Sequence, residues 1–174
     1  MTNAIAMPLA KSDSRRESIY VGLGGLLLFT LGFWQQPFVE FEARFALFAQ
    51  EMWRHGISLF PTTYGEPYPD YPATSTLLIF LTSLAFGAVT KLSAILPTAI
   101  AAALNLAITY RLLARFSRPW AALTVGFEII TVTFLAEARS ISLDQMVATI
   151  TLCCFYIAYT NREHRNFSRL LWLP

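Results

Sequence analysis

Long apolar runs are the feature that most constrains how this chain can fold. The five runs cover residues 19–36, 74–90, 92–113, 119–136 and 143–160. A helix needs about 20 apolar residues to cross a bilayer, and irregular backbone is excluded from lipid because its polar groups would stay unpaired. Charged residues make up 14% of the chain, against roughly 25% in soluble domains. The sequence therefore predicts an all-α, multi-spanning membrane protein that has the lipid bilayer as a partner.

Charge and cysteine usage exclude several other classes. The formal net charge is +2 and the basic residues form no patch, so we expect no nucleic-acid partner. Cys153 and Cys154 are adjacent within an apolar run, and as neighbours on a helix they are small apolar filler rather than a disulfide. No small-residue cleavage site follows the first run. We therefore expect an uncleaved membrane helix behind a disordered cytoplasmic tail at residues 1–18.

Basic residues at the ends of the runs predict the orientation of the chain, because cytoplasmic loops carry an excess of lysine and arginine. The three basic clusters are Lys11/Arg15/Arg16, Arg111/Arg115/Arg118 and Arg162/Arg165/Arg169. If all three are cytoplasmic, four runs cross and the run at 74–90 is a juxtamembrane or re-entrant helix on the outer side. If all five runs cross, the second cluster lies outside, against the rule. We favour the first arrangement.

This orientation divides the chain into three parts. The membrane module covers residues 19–160 and includes an outer loop at 37–91, while residues 161–174 form a cytoplasmic segment and the start of a further helix. The polar junctions at 37–73 and 137–144 then face the same outer side. Their acidic residues can therefore share one site.

The first junction begins with a predicted helix. Residues 40–55 read EFEARFALFAQEMWRH, and Phe41, Phe45, Phe48 and Met52 form one apolar stripe at helical spacing. Gly56 is a suitable stop. A helix with this stripe beside a membrane span is expected at the interface. It serves either as an anchor alone or as the carrier of catalytic charges.

A stiff segment follows, with the sequence YGEPYPDYPATST at residues 64–76. Its prolines restrict the backbone and favour extended geometry at the residues before them. Tyr68 and Tyr71 carry amphipathic rings that suit a membrane interface or sugar stacking. Asp70 lies between Pro69 and Tyr71, where this backbone holds it at the membrane surface.

The second junction reads AEARSISLDQM at residues 136–146. Ser142 is a plausible helix N-cap, and Asp144 then lies in the first turn, where the helix dipole favours a negative charge. Within the preceding run, Glu128 is costly in lipid and should face protein, be protonated or pair, with Asn105 as a candidate partner.

Three stretches, in this order, resemble a known family. FEARFALFAQEM at 41–52 resembles the D-E-x-R-Y-A…E-M stretch of bacterial polyprenyl-phosphate-dependent glycosyltransferases, relatives of protein O-mannosyltransferases and of the lipid A aminoarabinose transferase. GISLFPTTYGEPYPDYP at 56–72 is similar to their G-x-W-x-x-P…G…Y-x-x-(K/D)-(P/Y)-P segment. ARSISLD at 138–144 resembles their A-R-x-x-x-L-D segment.

The resemblance implies a glycosyltransferase C fold in the bacterial inner membrane, with a cytoplasmic N-terminus and an active periplasmic face. A sugar would pass from a polyprenyl-phosphate carrier to an acceptor lipid, glycan or protein. The site residues it implies are Glu42 as catalytic base, Asp70 and Asp144 as site acids, and Arg44, Arg139, Tyr68, Tyr71 and Glu40 as substrate-binding residues.

The motifs depart from the family at two positions. The first acid of the family aligns with Phe41, and Glu40, one residue earlier, is its candidate substitute. Tyr71 stands where the family often has a phosphate-binding lysine. Two outer-face acids are also able to bind a divalent cation, although no ligand spacing argues for a cofactor.

The length of the chain raises alternatives. Family members are several times longer, so we expect an N-terminal portion that is inactive alone. A non-catalytic membrane scaffold or subunit is one alternative. A transporter fragment, with Glu128 and Asn105 lining its path, is the other.

Overall fold

The computed structural model describes residues 11–33, 36–39 and 41–161. They form seven helices: α1 (Lys11–Thr30), α2 (Phe41–His55), α3 (Ala73–Leu84), α4 (Lys91–Leu113), α5 (Arg118–Ile130), α6 (Val132–Ala138) and α7 (Leu143–Asn161). Two short antiparallel strands, β1 (Thr62–Thr63) and β2 (Glu66–Pro67), form a hairpin between α2 and α3. The predicted all-α class is therefore confirmed apart from this hairpin.

The hairpin has a tight turn at Tyr64 and Gly65. Both residues have positive φ, of 53° and 85° respectively, as the favoured type I′ hairpin turn requires. The backbone N–H of Tyr68 then donates to the carbonyl oxygen of Pro61 at 2.7 Å. The proline-rich segment is thus held as a folded loop on its approach to α3.

Helix α4 is the centre of the molecule and contacts each of the other six helices. Its N-terminus is a capping box, in which Ser93 N donates to Thr90 Oγ1 at 3.1 Å and Thr90 N donates to Ser93 Oγ at 2.9 Å. Small residues bring α1 close to it: a Cβ on Gly22 would lie 3.3 Å from Ala107 Cβ, and one on Gly25 would lie 2.9 Å from Leu106 Cδ1.

Helix α1 begins earlier than predicted. It starts at Lys11, so residues 11–18 of the expected disordered tail are helical. The reason is tertiary: Tyr110 of α4 donates to Glu17 at 2.8 Å, and Arg118 forms ion pairs with Asp13 and Glu17 at 3.6 and 3.4 Å. These contacts hold the first turns of α1 against the rest of the molecule.

The predicted run at 119–136 is not one straight helix. Helices α5 and α6 meet at a bend of 73°, where Thr131 is extended at φ −66° and ψ 116°. Residues 129–133 read IITVT and are all β-branched, and such residues fit extended backbone better than helix. The Thr131 hydroxyl also donates to the Phe127 carbonyl at 2.8 Å.

The partner of Glu128 differs from the expected one. Glu128 is hydrogen-bonded to Thr109 of α4, and Thr109 Oγ1 lies 3.5 Å from Asn105 Oδ1. Among the described residues, Thr109 thus connects Asn105 to Glu128. The three residues form a polar contact between α4 and α5.

The start of α1, the end of α4, the start of α5 and the end of α7 meet at one end of the molecule, here called the basic end. Arg118 contacts the start of α1 there. The guanidinium carbons of Arg111 and Arg115 each lie 5.5 Å from the centre of the Tyr156 ring of α7. The second basic cluster therefore lies at the same end of the molecule as the first turns of α1, which carry Arg15 and Arg16.

Fewer helices have the length and composition of a membrane span than predicted. Among the described residues, α4 and α7 do, and the bent pair α5–α6 is a third candidate if it counts as one span. Helix α1 carries charged residues in its first turns, and α3, with 12 residues, is shorter than the roughly 20 residues a span needs. The four predicted crossings are therefore not confirmed, whereas a short helix α3 agrees with a non-crossing segment.

Candidate functional site

A cavity of about 580 Å³ lies between the two polar junctions, opposite the basic end. The first junction contributes Glu42 and Tyr71, and the second contributes Glu137 and Asp144. The rest of the wall combines apolar side chains with two serines: Val39, Phe41, Ser140, Ile141, Ser142 and Leu143. The structure thus brings acids from both junctions to one cavity, with an apolar wall beside them.

Glu42 is placed by the first turn of α2. Its backbone N–H donates to the carbonyl of Val39 at 3.0 Å, and its carboxylate Oε2 accepts from Val39 N at 3.3 Å. This reciprocal arrangement orients the side chain locally. The same oxygen accepts a hydrogen bond from Lys91 Nζ. Both hydrogen bonds between this carboxylate and described residues end on Oε2, so within the described part of the chain Oε1 is left for a ligand.

Lys91 is the residue that sequence reasoning missed. Its side chain is buried at the N-terminus of α4, and its ammonium lies 5.6 Å from the Phe38 ring centre and 6.0 Å from that of Phe33. A cation enclosed by aromatic rings needs a carboxylate partner, and Glu42 provides it. The available signal was a lone lysine between two apolar runs, at 74–90 and 92–113.

Asp144 is placed by the start of α7. Gln145 N lies 3.4 Å from Ser142 Oγ, which confirms Ser142 as the N-cap, and Asp144 is exposed in the first helical turn. Thr98 of α4 anchors this cap, because its hydroxyl accepts from Ser142 N at 3.3 Å. The helix dipole accounts for an acid at this position, and the cavity gives the same acid access to a ligand.

Arg139 has a different contact from the one expected of a substrate-binding residue. Its guanidinium donates to the carbonyls of Leu28 and Leu31 at 2.7 and 2.9 Å, and it lies 4.6 Å from the Phe33 ring centre. Leu28 lies in the last turn of α1 and Leu31 directly follows the helix, where carbonyl groups have no intrahelical donors. Arg139 therefore joins α1 to the α6–α7 junction and is not part of the cavity lining.

The remaining predicted residues divide between the cavity and an aromatic cluster. Tyr71 lines the cavity and stacks on Tyr68, with ring centres 5.9 Å apart. The exposed Arg44 lies 5.7 Å from the Phe41 ring centre and 5.9 Å from that of Tyr68. Asp70 is exposed and does not line the cavity. Glu40 lies outside the described residues.

The described acids do not fit a metal centre. In the described ranges, no group of three or more His, Cys, Asp or Glu side chains is arranged to hold a metal ion. Hard divalent cations take six or more oxygen ligands, usually with several carboxylates. The cavity acids are better suited to hydrogen bonding with hydroxyl groups.

Comparison with protein-family models, with curated proteins and with solved structures finds no match for this chain. A functional assignment therefore depends on the chemistry of the cavity and on the three sequence motifs. Of the predicted site residues, Glu42, Tyr71 and Asp144 share the cavity. Arg44, Arg139, Tyr68 and Asp70 lie outside its lining.

Proposed function

We propose that this chain is a glycosyltransferase, or the N-terminal module of one. It would transfer a sugar from a polyprenyl-phosphate carrier to a lipid, glycan or protein acceptor. One observation carries the proposal: Glu42 and Asp144, which are far apart in sequence and lie in two motifs of the family resemblance, line the same cavity. The chain would cross a bacterial inner membrane four times, with its N-terminus in the cytoplasm and the cavity on the periplasmic face.

The proposed reaction is a single displacement with inversion. The acceptor hydroxyl oxygen forms a bond to the anomeric carbon while the bond from that carbon to the carrier phosphate oxygen breaks. The bonding electrons leave with the phosphate. The hydroxyl proton moves to a carboxylate, because a sugar or lipid hydroxyl is a weak nucleophile that general-base assistance accelerates.

Glu42 supports the role of base through its geometry. Oε2 is held by Lys91 and by Val39 N, so a proton can be received on Oε1 without rotation of the side chain. Such preorganisation is what a catalytic group requires. Asp144, across the same cavity, would orient the acceptor or the sugar through hydrogen bonds from their hydroxyl groups.

Stabilisation of the departing phosphate falls to cations and hydrogen-bond donors. Lys91 is the cation beside the cavity wall, since it contacts Glu42 directly. When Glu42 accepts the proton, the charge of Lys91 is no longer balanced by a carboxylate. It then becomes available to the phosphate, together with the Tyr71 hydroxyl. In this proposal Arg139 keeps its structural contact with α1.

The test is a transfer assay in membranes of cells that express the chain from its natural locus, supplied with polyprenyl-phosphate sugar labelled in the sugar. The amount of labelled sugar that leaves the carrier is measured. We expect Glu42→Gln to lower the transfer rate by about 10²-fold or more, the usual contribution of general-base catalysis. The matched control is Glu66→Gln, an exposed carboxylate of the hairpin outside the cavity, which should keep the wild-type rate.

Two results would contradict the proposal. Equal transfer by the wild type and by Glu42→Gln would remove Glu42 as base. If membranes with the chain transferred no more label than membranes without it, the non-catalytic scaffold or subunit would be the better assignment.

A further inference from the structure

A second set of side chains, at the basic end, is built from arginine and tyrosine. Arg111 lies in the last turn of α4 and Arg115 in the turn that follows it. Both guanidinium carbons lie 5.5 Å from the centre of the Tyr156 ring of α7. Arg115 also lies 6.0 Å from the Tyr159 ring centre, and its Nη2 is 3.5 Å from the Tyr156 hydroxyl. Arg111, Arg115, Tyr156 and Tyr159 are here called the arginine–tyrosine patch.

Among the described residues, carboxylates neutralise the charge of Arg118 but not the charges of Arg111 and Arg115. Arg118 forms ion pairs with Asp13 and Glu17. Within the part of the chain that the structure describes, neither Arg111 nor Arg115 forms an ion pair. Both guanidinium groups therefore lie against one tyrosine ring, with no described carboxylate as an ion-pair partner. Their uncompensated positive charges favour the binding of an anion.

The geometry leaves hydrogen-bond donors available for such an anion. A guanidinium has five N–H donors in its plane, and contact with an aromatic face leaves the in-plane donors free. The hydrogen bond from Arg115 to Tyr156 uses one of them. Planar, paired donors match the oxygens of a phosphate group.

The surroundings of the patch select a lipid rather than a soluble phosphate. Phe116 and Trp120, which follow in the chain, are 72% and 68% exposed, and aromatic side chains of this kind are enriched at the membrane–water interface. The two helices that carry the patch, α4 and α7, are the ones long and apolar enough to span a membrane among the described residues. A phosphate bound here would thus lie at headgroup level.

We propose that the arginine–tyrosine patch is a binding site for the phosphate of an anionic phospholipid headgroup. The site lies at the end of the molecule opposite the cavity and does not depend on transferase activity. Because an anionic lipid attracts each nearby arginine with a free energy that corresponds to about fivefold in affinity, two arginines give selectivity over a zwitterionic lipid with the same acyl chains.

Native mass spectrometry of the 174-residue chain in detergent tests this, with phosphatidylglycerol and phosphatidylcholine of identical acyl chains as probes. We expect the wild type to retain phosphatidylglycerol selectively. The double variant Arg111→Gln/Arg115→Gln should lose retention by about fivefold for each arginine. Arg54→Gln, an equal change of charge at an exposed position of α2, should have no effect.

Further measurements distinguish this lipid site from the alternatives. The site would be overturned if the double glutamine variant retained phosphatidylglycerol as well as the wild type does. It would also be overturned if Arg54→Gln lost as much retention as the double variant. Stabilisation of the chain by inorganic phosphate or glycerol phosphate to the same extent as by phosphatidylglycerol would overturn the assignment to a lipid.

If the glutamine variant does not fold, Arg111→Lys/Arg115→Lys keeps the charge but removes the planar donors. It should bind phosphatidylglycerol more weakly than the wild type. If the lysine variant retained phosphatidylglycerol as well as the wild type does, the patch would act only as non-specific positive charge, and the proposal would be overturned.

Discussion

At the scale of single residues, the ion pair between Lys91 and Glu42 is the contact that connects fold and site. The two side chains are only 6% and 14% exposed, so both charges have lost most of their hydration. Burial of this kind is costly, and the pair persists because each charge compensates the other. The pair joins the start of α4 to the start of α2. It also holds in place the Glu42 carboxylate that faces the cavity.

Removal of the lysine should therefore be severe. We expect Lys91→Met to lower the free energy of unfolding by about 3–5 kcal/mol, because Glu42 is left buried without its cation. The double variant Lys91→Met/Glu42→Gln should recover a large part of this loss. Both are measured by denaturant unfolding in detergent micelles. Arg54→Met, at an exposed position, is the control and should change stability by about 0.5 kcal/mol or less. Wild-type stability of Lys91→Met would contradict the importance of the pair.

At the scale of the helices, the close approach of α1 to α4 depends on glycine. Gly22 and Gly25 face α4, whereas a Cβ added to Gly24 of the same helix meets nothing within 4 Å. Because glycine has no side chain, the two helix backbones come closer at these positions and gain dispersion contacts along their length. This packing holds the first turns of α1 near Tyr110 and the last turn near Arg139.

A pair of substitutions in α1 tests this packing. Gly22→Leu introduces a side chain whose Cβ alone lies 3.3 Å from Ala107 Cβ and 3.4 Å from the Ala103 carbonyl. We expect a loss of about 1–3 kcal/mol from overpacking. Gly24→Leu adds the same side chain on the open face and should be stable. Thermal unfolding of the two variants in one detergent gives the comparison, and equal melting temperatures would show that α1 does not pack on α4 through Gly22.

At the scale of the whole molecule, charge separates the two ends. The basic end collects Arg111, Arg115 and Arg118, and the opposite end holds the hairpin, α3 and the cavity. Helices α1 and α5–α6 run from the basic end to the cavity end, and α4 and α7 return. In a membrane this order places the connection from α3 to α4 on the same side as the hairpin.

Single-cysteine labelling tests this topology in a Cys153→Ala/Cys154→Ala background. Exposed positions are available at both ends: Glu66 in the hairpin, Ala88 before α4, and Phe116 after it. A membrane-impermeant maleimide added outside intact cells should label Glu66→Cys and Ala88→Cys. Phe116→Cys should react only after the cells are opened. Labelling of Phe116→Cys in intact cells, with Ala88→Cys reacting only after the cells are opened, would show instead that α3 crosses the membrane.

Local patterns predicted most helices closely. The expected helix at 40–55 is α2 (Phe41–His55), and the apolar runs at 92–113 and 143–160 are α4 (Lys91–Leu113) and α7 (Leu143–Asn161). These boundaries are set within one or two turns, by apolar spacing and by caps such as Ser142. The β-branched run at 129–133 was also a local signal for the break between α5 and α6, but the uninterrupted apolar composition concealed it.

The residues of the candidate site were predicted less completely. The cavity contains Glu42, Tyr71 and Asp144, which the motifs had named. Arg139 was expected at the substrate and instead donates to carbonyls of α1. An arginine beside a helix end has the same appearance in sequence whether it binds a ligand or a backbone, because the choice depends on which helix packs next to it.

The sequence by itself determined the helical class, the Ser142 cap and the acids of the two junctions, since each depends on neighbours a few residues away. Only the tertiary structure decided that Lys91 pairs with Glu42, 49 residues earlier, and that the two junctions enclose a single cavity. Those contacts depend on how α2, α4 and α7 pack, and the energy that selects one packing comes from many long-range contacts together rather than from any local pattern.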